Sequence, residues 1–285
     1  SGMPELPEVQ TVVSQLGKRI VGRTFLDFRS TWPKKVLTPQ IVMRRCLRGA
    51  TTIGTRRFGK HIVIDLDNQH SIIIHLKMTG HLLYKTPETR ESPVFTQDKM
   101  NGYIHHIFTF SNGATLEFSD MRKFGWIKLI PTDEVERLKS IADLGIDALA
   151  PQLNETVFRS RLAKRERRTI GEALLDQGVV AGVGNIYRSE ALFLAGIRPM
   201  RKAGELTQAE WKQLLAAVKK VLRHAARLGG TSDGDFRDLD GLPGRFERSL
   251  FVYGREGLPC KKCDTIVERI KIGQRSAFFC PCCQR

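Results

Sequence analysis

Up to about residue 130 the chain alternates between short apolar runs and polar breaks, a pattern typical of β-strands joined by tight turns. Runs rich in β-branched and aromatic residues occupy positions 61–66, 71–76 and 106–110. The polar segments at 67–69 and 111–113 are of the kind that closes hairpins. Ahead of them, positions 9, 12, 13 and 16 carry apolar residues at helical spacing. The pattern predicts an antiparallel β-domain preceded by a helix over residues 7–16.

From about residue 133 the apolar spacing changes to that of amphipathic helices. It predicts helices over residues 170–176, 185–195 and 208–228. Thr207 is a good N-cap for the third of these helices, and Gly229 and Gly230 are a good stop. We therefore predict an N-terminal domain over 1–134, a helical domain over 135–250 and a separate C-terminal segment over 251–285.

The composition shows that the protein is strongly basic. The chain has 285 residues, 41% hydrophobic and 27% charged, as expected for a folded protein of one large or two medium domains. Its 46 Lys and Arg outnumber its 30 Asp and Glu, which gives a formal charge of +16. Such a surplus points to a polyanionic partner, although a merely basic enzyme has the same composition. No run approaches the roughly 20 apolar residues that span a bilayer, and no export leader opens the chain, so neither membrane insertion nor export is expected.

The cysteines are concentrated near one end of the sequence. Cys260 and Cys263 form one C-x2-C pair, and Cys280 and Cys283 form a second pair sixteen residues later. This spacing is typical of a four-thiolate zinc ribbon, in which a closed tetrahedral Zn²⁺ folds a hairpin. Redox or disulfide use of the four thiols remains the alternative. Cysteines gathered in one segment fit a reducing cytoplasm, and Cys282 is expected to be a spectator.

Three segments are candidate phosphate contacts. Positions 161–168 carry five Lys or Arg and one Glu, which is either a solvated face or an anion-binding surface. The Gly-rich turn at 181–185 joins two predicted helices, so its amides and the next helix N-terminus could grip a phosphate. Such turns are also common without a ligand. Arg269, Lys271 and Arg275 lie between the two cysteine pairs and make the ribbon a candidate phosphate-contacting finger.

Six further motifs follow one another along nearly the whole chain, at 3–9, 58–60, 75–80, 120–125, 182–185 and 253–260. Together with the ribbon they resemble bacterial formamidopyrimidine-DNA glycosylases, enzymes that remove oxidised purines from DNA. Leu6 stands where the related endonuclease VIII branch, which prefers oxidised pyrimidines, typically has Gly. The segment at 240–244 also resembles the purine branch. That pyrimidine branch and a non-catalytic zinc-ribbon DNA-binding protein remain the alternatives.

The resemblance implies an α+β fold with an N-terminal antiparallel β-sandwich flanked by helices. A C-terminal helix-two-turn-helix domain would end in the four-cysteine zinc ribbon. One structural Zn²⁺ is expected, and the expected partner is double-stranded DNA containing an oxidised base. No membrane partner is expected. The protein is expected to be a monomer in the bacterial cytoplasm, associated with the nucleoid through DNA.

The resemblance also implies the catalytic residues. Pro4 would be the N-terminal residue after removal of the initiator Met, and its amine would attack the deoxyribose C1′. The resulting iminium would allow the abasic site to be nicked by β,δ-elimination. Glu5 would protonate the sugar ring oxygen, Lys60 would act at the catalytic phosphate and in β-elimination, and Arg275 would grip phosphate during δ-elimination. Glu8 could orient the sugar or favour the helix N-terminus electrostatically.

Further DNA contacts follow from the same resemblance. Met78, Arg122 and Phe124 would fill the gap that a turned-out nucleotide leaves in the duplex. The remaining implied contacts are His75, Tyr103, Arg167 and Asn185.

The start of the chain bears on this chemistry. Ser1 and Gly2 precede Met3, and we interpret them as a cloning remnant, so that the native protein is expected to begin at Pro4. In the chain as written, Met3 acylates the Pro4 nitrogen. The lone pair of that nitrogen is then delocalised into a carbonyl and is not nucleophilic.

Overall fold

The computed structural model describes residues 3–232 and 234–285, so Ser1 and Gly2 lie outside the described residues. The chain forms two units. The N-terminal unit contains the chain up to Ala142 together with Leu228–Glu247. The C-terminal unit contains Asp143–Arg227 and Arg248–Arg285.

Two four-stranded antiparallel sheets form the N-terminal unit. Among the described residues, its strands are β1 (Phe25–Ser30), β2 (Thr52–Phe58), β3 (His61–Leu66), β4 (His70–His75), β5 (Gly80–Lys85), β6 (Ile104–Phe110), β7 (Thr115–Asp120) and β8 (Trp126–Pro131). The strand orders are β1-β6-β7-β5 and β2-β3-β4-β8. The helices are α1 (Leu6–Arg19), α2 (Gln40–Leu47) and the single turns α3 (Pro93–Thr96) and α4 (Lys139–Ala142). The predicted sandwich is confirmed.

The continuous apolar runs of β3 and β4 have a structural reason, because both faces of their sheet are covered. Ile64 faces the main core, where it is buried with Phe118 of the other sheet. Val63 lies in a second cluster with Val135 and Ile141, on the opposite side of the strand. Strands buried on both faces lose the alternation of apolar and polar residues. Each fully buried side chain of this size stabilises the fold by roughly 1.5–3 kcal/mol.

Helix α1 joins the same core through one stripe. Val9, Val12 and Leu16 are at most 1% exposed. Its first turn carries Glu8 and its last turn ends in Lys18 and Arg19, as the helix dipole favours. The helix predicted over 7–16 is confirmed and continues to Arg19.

The C-terminal unit consists mainly of helices. Its described elements are α5 (Glu155–Ala163), α6 (Ile170–Ala173), α7 (Asn185–Ala195), α8 (Gln208–Arg227), the short parallel pair β9 (Ile146–Asp147) and β10 (Val180–Ala181), and the antiparallel hairpin β11 (Glu268–Ile272) and β12 (Arg275–Phe279). Short 3₁₀ helices in the two units span Pro33–Lys35, Lys99–Gly102, Thr132–Arg137, Ala203–Glu205 and Phe246–Ser249. No helix in the described part of the chain combines the length and apolar character needed to cross a membrane.

Two of the three predicted helices have the predicted bounds within one residue, and the third is shorter. Helix α7 spans 185–195 as predicted, and α8 stops before Gly229 and Gly230, which have φ values of +77° and +76°. Helix α6 ends at Ala173 rather than residue 176. The Asp176 side chain accepts the Gly178 N–H at 3.0 Å, and such a local bond favours a turn over further helix.

The segment 228–247 belongs to the N-terminal unit, whereas the predicted boundaries place it in a helical domain over 135–250. Phe236 and Leu239 are buried in the sandwich core. The Tyr84 N–H of β5 donates to the Leu239 carbonyl oxygen at 2.9 Å. The difference arises because the chain returns to its first unit after α8, and no local pattern signals that return.

Candidate active site and zinc centre

Pro4 and Glu5 lie directly before helix α1, and both are buried. Glu8, which is 1% exposed, holds them in place. Its Oε2 accepts the Glu5 N–H at 2.8 Å, and its Oε1 accepts the Thr231 N–H at 2.7 Å. Both carboxylate oxygens therefore bind backbone, which makes Glu8 a positioning group for the chain that carries Pro4.

Two glycines allow this arrangement. Gly230 has a φ of +76°, and a methyl group added there would lie 2.4 Å from Glu8 Oε1. A methyl group added at Gly244 would lie 2.1 Å from the Gly230 carbonyl oxygen. Segment 228–247 thus approaches the start of α1 through contacts that exclude any side chain at these two positions.

Lys60 lies in the two-residue turn between β2 and β3 and is 8% exposed. Gly59 has a φ of +56°, as the first position of a type II′ hairpin turn requires. The Arg57 side chain donates to the Gly59 carbonyl oxygen and to Gln10 Oε1, both at 2.9 Å. Since Gln10 is on α1, Arg57 connects the turn that carries Lys60 to the helix that follows Pro4 and Glu5.

His75 ends strand β4 as a buried, neutral ring. It pairs in register with His61 on one side and with Trp126 on the other, and its ring stacks on Trp126 at 5.9 Å. Burial, with the neighbouring charges of His61, Lys77 and Lys60, lowers the pKa of His75 to about 2. Its Nδ1 accepts the Lys77 N–H at 3.1 Å, so the proton of the neutral ring is on Nε2, ready to be donated.

Two neighbouring loops, which Thr79 joins, carry the three residues expected to fill the duplex. Met78 lies between β4 and β5, and Arg122 and Phe124 lie between β7 and β8. The Thr79 hydroxyl accepts the Arg122 N–H at 3.0 Å and donates to Asp120 Oδ1 at 2.6 Å. The Arg122 guanidinium lies 4.9 Å from the centre of the Phe124 ring, which is 45% exposed. The loop of Met78 thus lies beside the loop that carries the cation and the exposed aromatic ring.

Tyr103 and Arg167 lie in different units. The carbonyl oxygen of half-buried Tyr103 accepts the Asp120 N–H at 2.9 Å, next to the Arg122 loop. Arg167 is exposed in the basic segment after α5. Its neighbours Arg165 and Arg168 lie 2.9 and 3.6 Å from Asp176 Oδ2.

In the C-terminal unit, Asn185 is the first residue of α7, at the end of the helix where the helix dipole favours an anion. The preceding turn is held by Gln177, a residue that the sequence analysis did not single out. Its Nε2 donates to the Val183 carbonyl oxygen at 2.7 Å and its Oε1 accepts the Gly182 N–H at 2.9 Å. Only its position, a few residues before the Gly-rich turn, could have signalled this role. Arg275 is exposed, directly after the turn of the β11–β12 hairpin.

The four predicted zinc ligands lie together. The sulfur atoms of Cys260, Cys263, Cys280 and Cys283 are all within 4.8 Å of one another. Sγ–Sγ distances are 3.9 Å for Cys260–Cys283 and 3.4 Å for Cys263–Cys280. Tetrahedral zinc with Zn–S bonds of about 2.3 Å places its sulfurs about 3.8 Å apart, so the cluster fits the ion. Two backbone amides also donate to cluster sulfurs at 3.4 Å, as expected around thiolates. Cys282 is exposed outside the set.

Comparison with known proteins agrees with this geometry. Three family models match, with the descriptions formamidopyrimidine-DNA glycosylase N-terminal domain over residues 3–127, its H2TH domain over 144–236, and a zinc finger found in FPG and IleRS over 257–285. A formamidopyrimidine-DNA glycosylase of Pelotomaculum thermopropionicum is 37% identical over 99% of both chains. One of Herpetosiphon aurantiacus is 39% identical over 99% of this chain and all of its own.

Solved structures give the same result. A Lactococcus lactis FPG variant in complex with Fapy-dG-containing DNA is similar with a TM-score of 0.88 and 33% identity, over 99% of this chain and all of its own. The Lactococcus lactis Fpg in complex with abasic-site DNA has a TM-score of 0.87 and 33% identity, over 99% of each chain. The predicted fold class and the structural zinc site are confirmed, and the chain belongs to the formamidopyrimidine-DNA glycosylase family.

Proposed function

We propose that this protein removes oxidised purines, formamidopyrimidine and 8-oxoguanine, from double-stranded DNA and nicks the resulting abasic site by β,δ-elimination. The observation that carries the proposal is the position of Pro4 and Glu5. Both are buried at the start of α1 and fastened through Glu8, in a chain of this family. Relatives solved with Fapy-dG DNA and with abasic-site DNA support both halves of the reaction.

Pro4 supplies the nucleophile when it is the N-terminal residue. An α-amine has a pKa of about 8, so a useful neutral fraction is present at pH 7. The nitrogen bonds to the sugar C1′, and the base leaves with the electrons of the glycosidic bond. As the ring opens, Glu5 gives a proton to the ring oxygen and the Pro4 nitrogen loses its own, which leaves an iminium. The iminium then accepts electrons as a C2′ proton is lost and the 3′ phosphate departs, and a second elimination releases the 5′ phosphate.

Four side chains are assigned to the phosphates around the lesion. Lys60 and Arg275 offset phosphate charge, and Arg275 acts as a donor because a guanidinium does not give up its proton readily. Neutral His75 donates through Nε2, and Asn185 donates at the N-terminus of α7. The zinc ion folds the hairpin that carries Arg275 and takes no part in the chemistry.

We assign half-buried Met78, together with exposed Arg122 and Phe124, to the duplex itself. Turning a nucleotide out of the stack costs a few kcal/mol, and an apolar wedge with an aromatic ring offsets part of that loss. Tyr103 and Arg167 are assigned as further DNA contacts. We propose that the protein works as a monomer in the bacterial cytoplasm, on nucleoid DNA.

Borohydride trapping tests the nucleophile directly. A chain that begins at Pro4 should give a covalent adduct with an abasic duplex, whereas the same chain with Met3 retained should bind that duplex with comparable affinity and give no adduct. The reason is that an acylated nitrogen cannot form an iminium. A mass-verified chain retaining Met3 that is trapped at the same rate would contradict the assignment, and Lys60 would become the first candidate.

A second candidate substrate class is oxidised pyrimidines. It is favoured by one observation, a Lactococcus lactis Fpg of 33% identity solved with oxidised-pyrimidine-containing DNA. Single-turnover cleavage of matched duplexes carrying 8-oxoguanine or an oxidised pyrimidine separates the two. We expect faster cleavage of the purine lesion, and the reverse order would place the protein with the pyrimidine-preferring branch.

A further inference from the structure

Arg188 is a fully buried cation in the C-terminal unit and is not one of the proposed catalytic or DNA-contacting residues. Its side chain is 0% exposed, and it lies on α7 three residues after Asn185. A buried guanidinium destabilises a protein strongly unless its N–H donors are bonded. The acceptors that Arg188 uses therefore show what it holds in place.

Its donors reach three separate elements. Nη1 donates to the Gly171 carbonyl oxygen of α6 at 3.1 Å. Nη2 donates to the Ser276 carbonyl oxygen of β12 at 3.0 Å and also to Asn185 Oδ1. Because the guanidinium is a rigid planar fork, these acceptors must keep fixed directions relative to one another.

The bond to Asn185 decides how that amide is oriented. Oδ1 faces Arg188, so the Nδ2 hydrogens of Asn185 point away from the buried cation. A phosphate oxygen accepts hydrogen bonds and cannot donate them, so only this orientation is productive toward DNA. If the amide were reversed, its oxygen would face the phosphate and repel it.

The bond to Ser276 acts on the zinc hairpin. Ser276 follows Arg275, and its hydroxyl accepts a bond from Arg269 Nε on β11 at 2.9 Å. The hairpin turn also approaches α6, since a methyl group added at Gly273 would lie 3.2 Å from Glu172 Oε1. Arg188 therefore fixes the backbone next to Arg275 against the same helix that it binds through Gly171.

We infer that Arg188 is a positioning residue for DNA binding, which sets the Asn185 amide as a donor and holds the Arg275 end of β12 beside it. The inference rests on the proposed function, which supplies the phosphates. Arg188 itself does not contact DNA, because it is fully buried.

A double-mutant cycle tests the inference in the full-length, zinc-loaded protein. The ligand is an uncleavable duplex with a tetrahydrofuran abasic analogue, and the dissociation constant is measured for Arg188→Met, Asn185→Ala and the double variant. Each single variant should bind about tenfold more weakly, which is about 1.4 kcal/mol at 25 °C. The double variant should bind within about twofold of the weaker single variant, because both changes remove the same contact.

Arg198 provides the matched control. It also bonds to carbonyl oxygens near the zinc site, from Nε to Gln284 at 2.9 Å and from Nη2 to Pro281 at 2.7 Å, without contacting Asn185. Arg198→Met should lower the melting temperature about as much as Arg188→Met while keeping affinity within about twofold of the parent. If Arg188→Met does not fold, Arg188→Lys keeps the charge and stem without the fork, and the same cycle applies.

The outcomes separate the inference from the proposed function. Additive losses, equal losses for Arg188→Met and Arg198→Met, or parental affinity for Arg188→Met would each overturn the inference. Parental affinity for Asn185→Ala would contradict the phosphate contact in the proposed function, and the inference would fall with it. Borohydride trapping reports on Pro4 independently of either result.

Discussion

At the scale of single residues, several buried polar side chains hold neighbouring groups in position and do not act through a charge. Both carboxylate oxygens of Glu8 accept hydrogen bonds from backbone amides, and the neutral ring of His75 lies between two aromatic rings. Replacing an acceptor such as Glu8 leaves buried amides unbonded, at about 1–3 kcal/mol each. The candidate site therefore depends on groups that need never touch DNA.

The buried histidines predict a pH dependence of stability. Burial lowers the pKa of His61, His81 and His106 to about 4, and that of His75 to about 2. Below the unfolded value of about 6.5, the unfolded chain binds protons that the folded chain does not. The free energy of unfolding should therefore fall from pH 6.5 toward pH 4, by up to about 1.4 kcal/mol per pH unit for each histidine.

His61→Phe keeps the aromatic packing. It should reduce the pH dependence of the free energy of unfolding by the contribution of one histidine. Urea unfolding at pH 7, 6 and 5 measures it, with the exposed His224→Phe on α8 as the matched control. An unchanged slope for His61→Phe would mean that this ring is already protonated in the folded protein.

At the scale of elements, the zinc hairpin is the part most dependent on a single ion. Its core is a small cluster in which Val252, Val267 and Phe278 pack with Cys260 and Cys280. So few apolar side chains do not fold a hairpin by themselves, and metal binding supplies the difference.

Cys263→Ser should therefore release zinc and weaken binding to a tetrahydrofuran duplex about tenfold or more, since the phosphate contact proposed for Arg275, of about 1.5–3 kcal/mol, would lose its support. Cys282→Ser changes an exposed cysteine outside the cluster and should preserve both zinc and affinity. Zinc content by mass spectrometry and affinity by fluorescence anisotropy are the measurements. Normal affinity in a zinc-free protein would show that the hairpin is not needed for binding.

The elements also show how far sequence reasoning reaches. Spacing alone identified the four cysteines, because two C-x2-C pairs specify a local site. The apolar runs of β3 and β4 and the helical spacing of α7 and α8 are also signals within short stretches of sequence. Pro4 and Lys60 could be proposed only through family resemblance, since a lone proline or lysine has no signature. Arg188 was missed because its role consists of contacts with residues distant in sequence.

At the scale of the whole molecule, the N-terminal unit is completed by a segment that comes late in the sequence. Residues 228–247 return to the sandwich and bury Phe236 and Leu239 in its core. The Thr231 N–H also satisfies one oxygen of buried Glu8. A fragment that ends at Ala142 lacks all three contributions.

We expect fragment 3–142 to be poorly folded, and expect stability to recover when 228–247 is attached through a flexible linker of about 20 Gly and Ser residues. The two core side chains alone should contribute about 3–6 kcal/mol, from about 1.5–3 kcal/mol each. Thermal unfolding followed by circular dichroism is the measurement. The same fusion with Phe236→Ser and Leu239→Ser is the control, and equal melting temperatures for the two fusions would contradict the expectation.

The close packing of Gly230 against Glu8, and of Gly244 against the backbone of Gly230, has a consequence for tolerance to mutation. Neither glycine carries a functional group, yet a side chain at either one must displace backbone or the carboxylate that fastens the Pro4 segment. Selection for repair should therefore constrain these two positions as tightly as the residues assigned to chemistry. Damage at either glycine would reach the proposed nucleophile, Pro4, by geometry alone, from a segment distant in sequence.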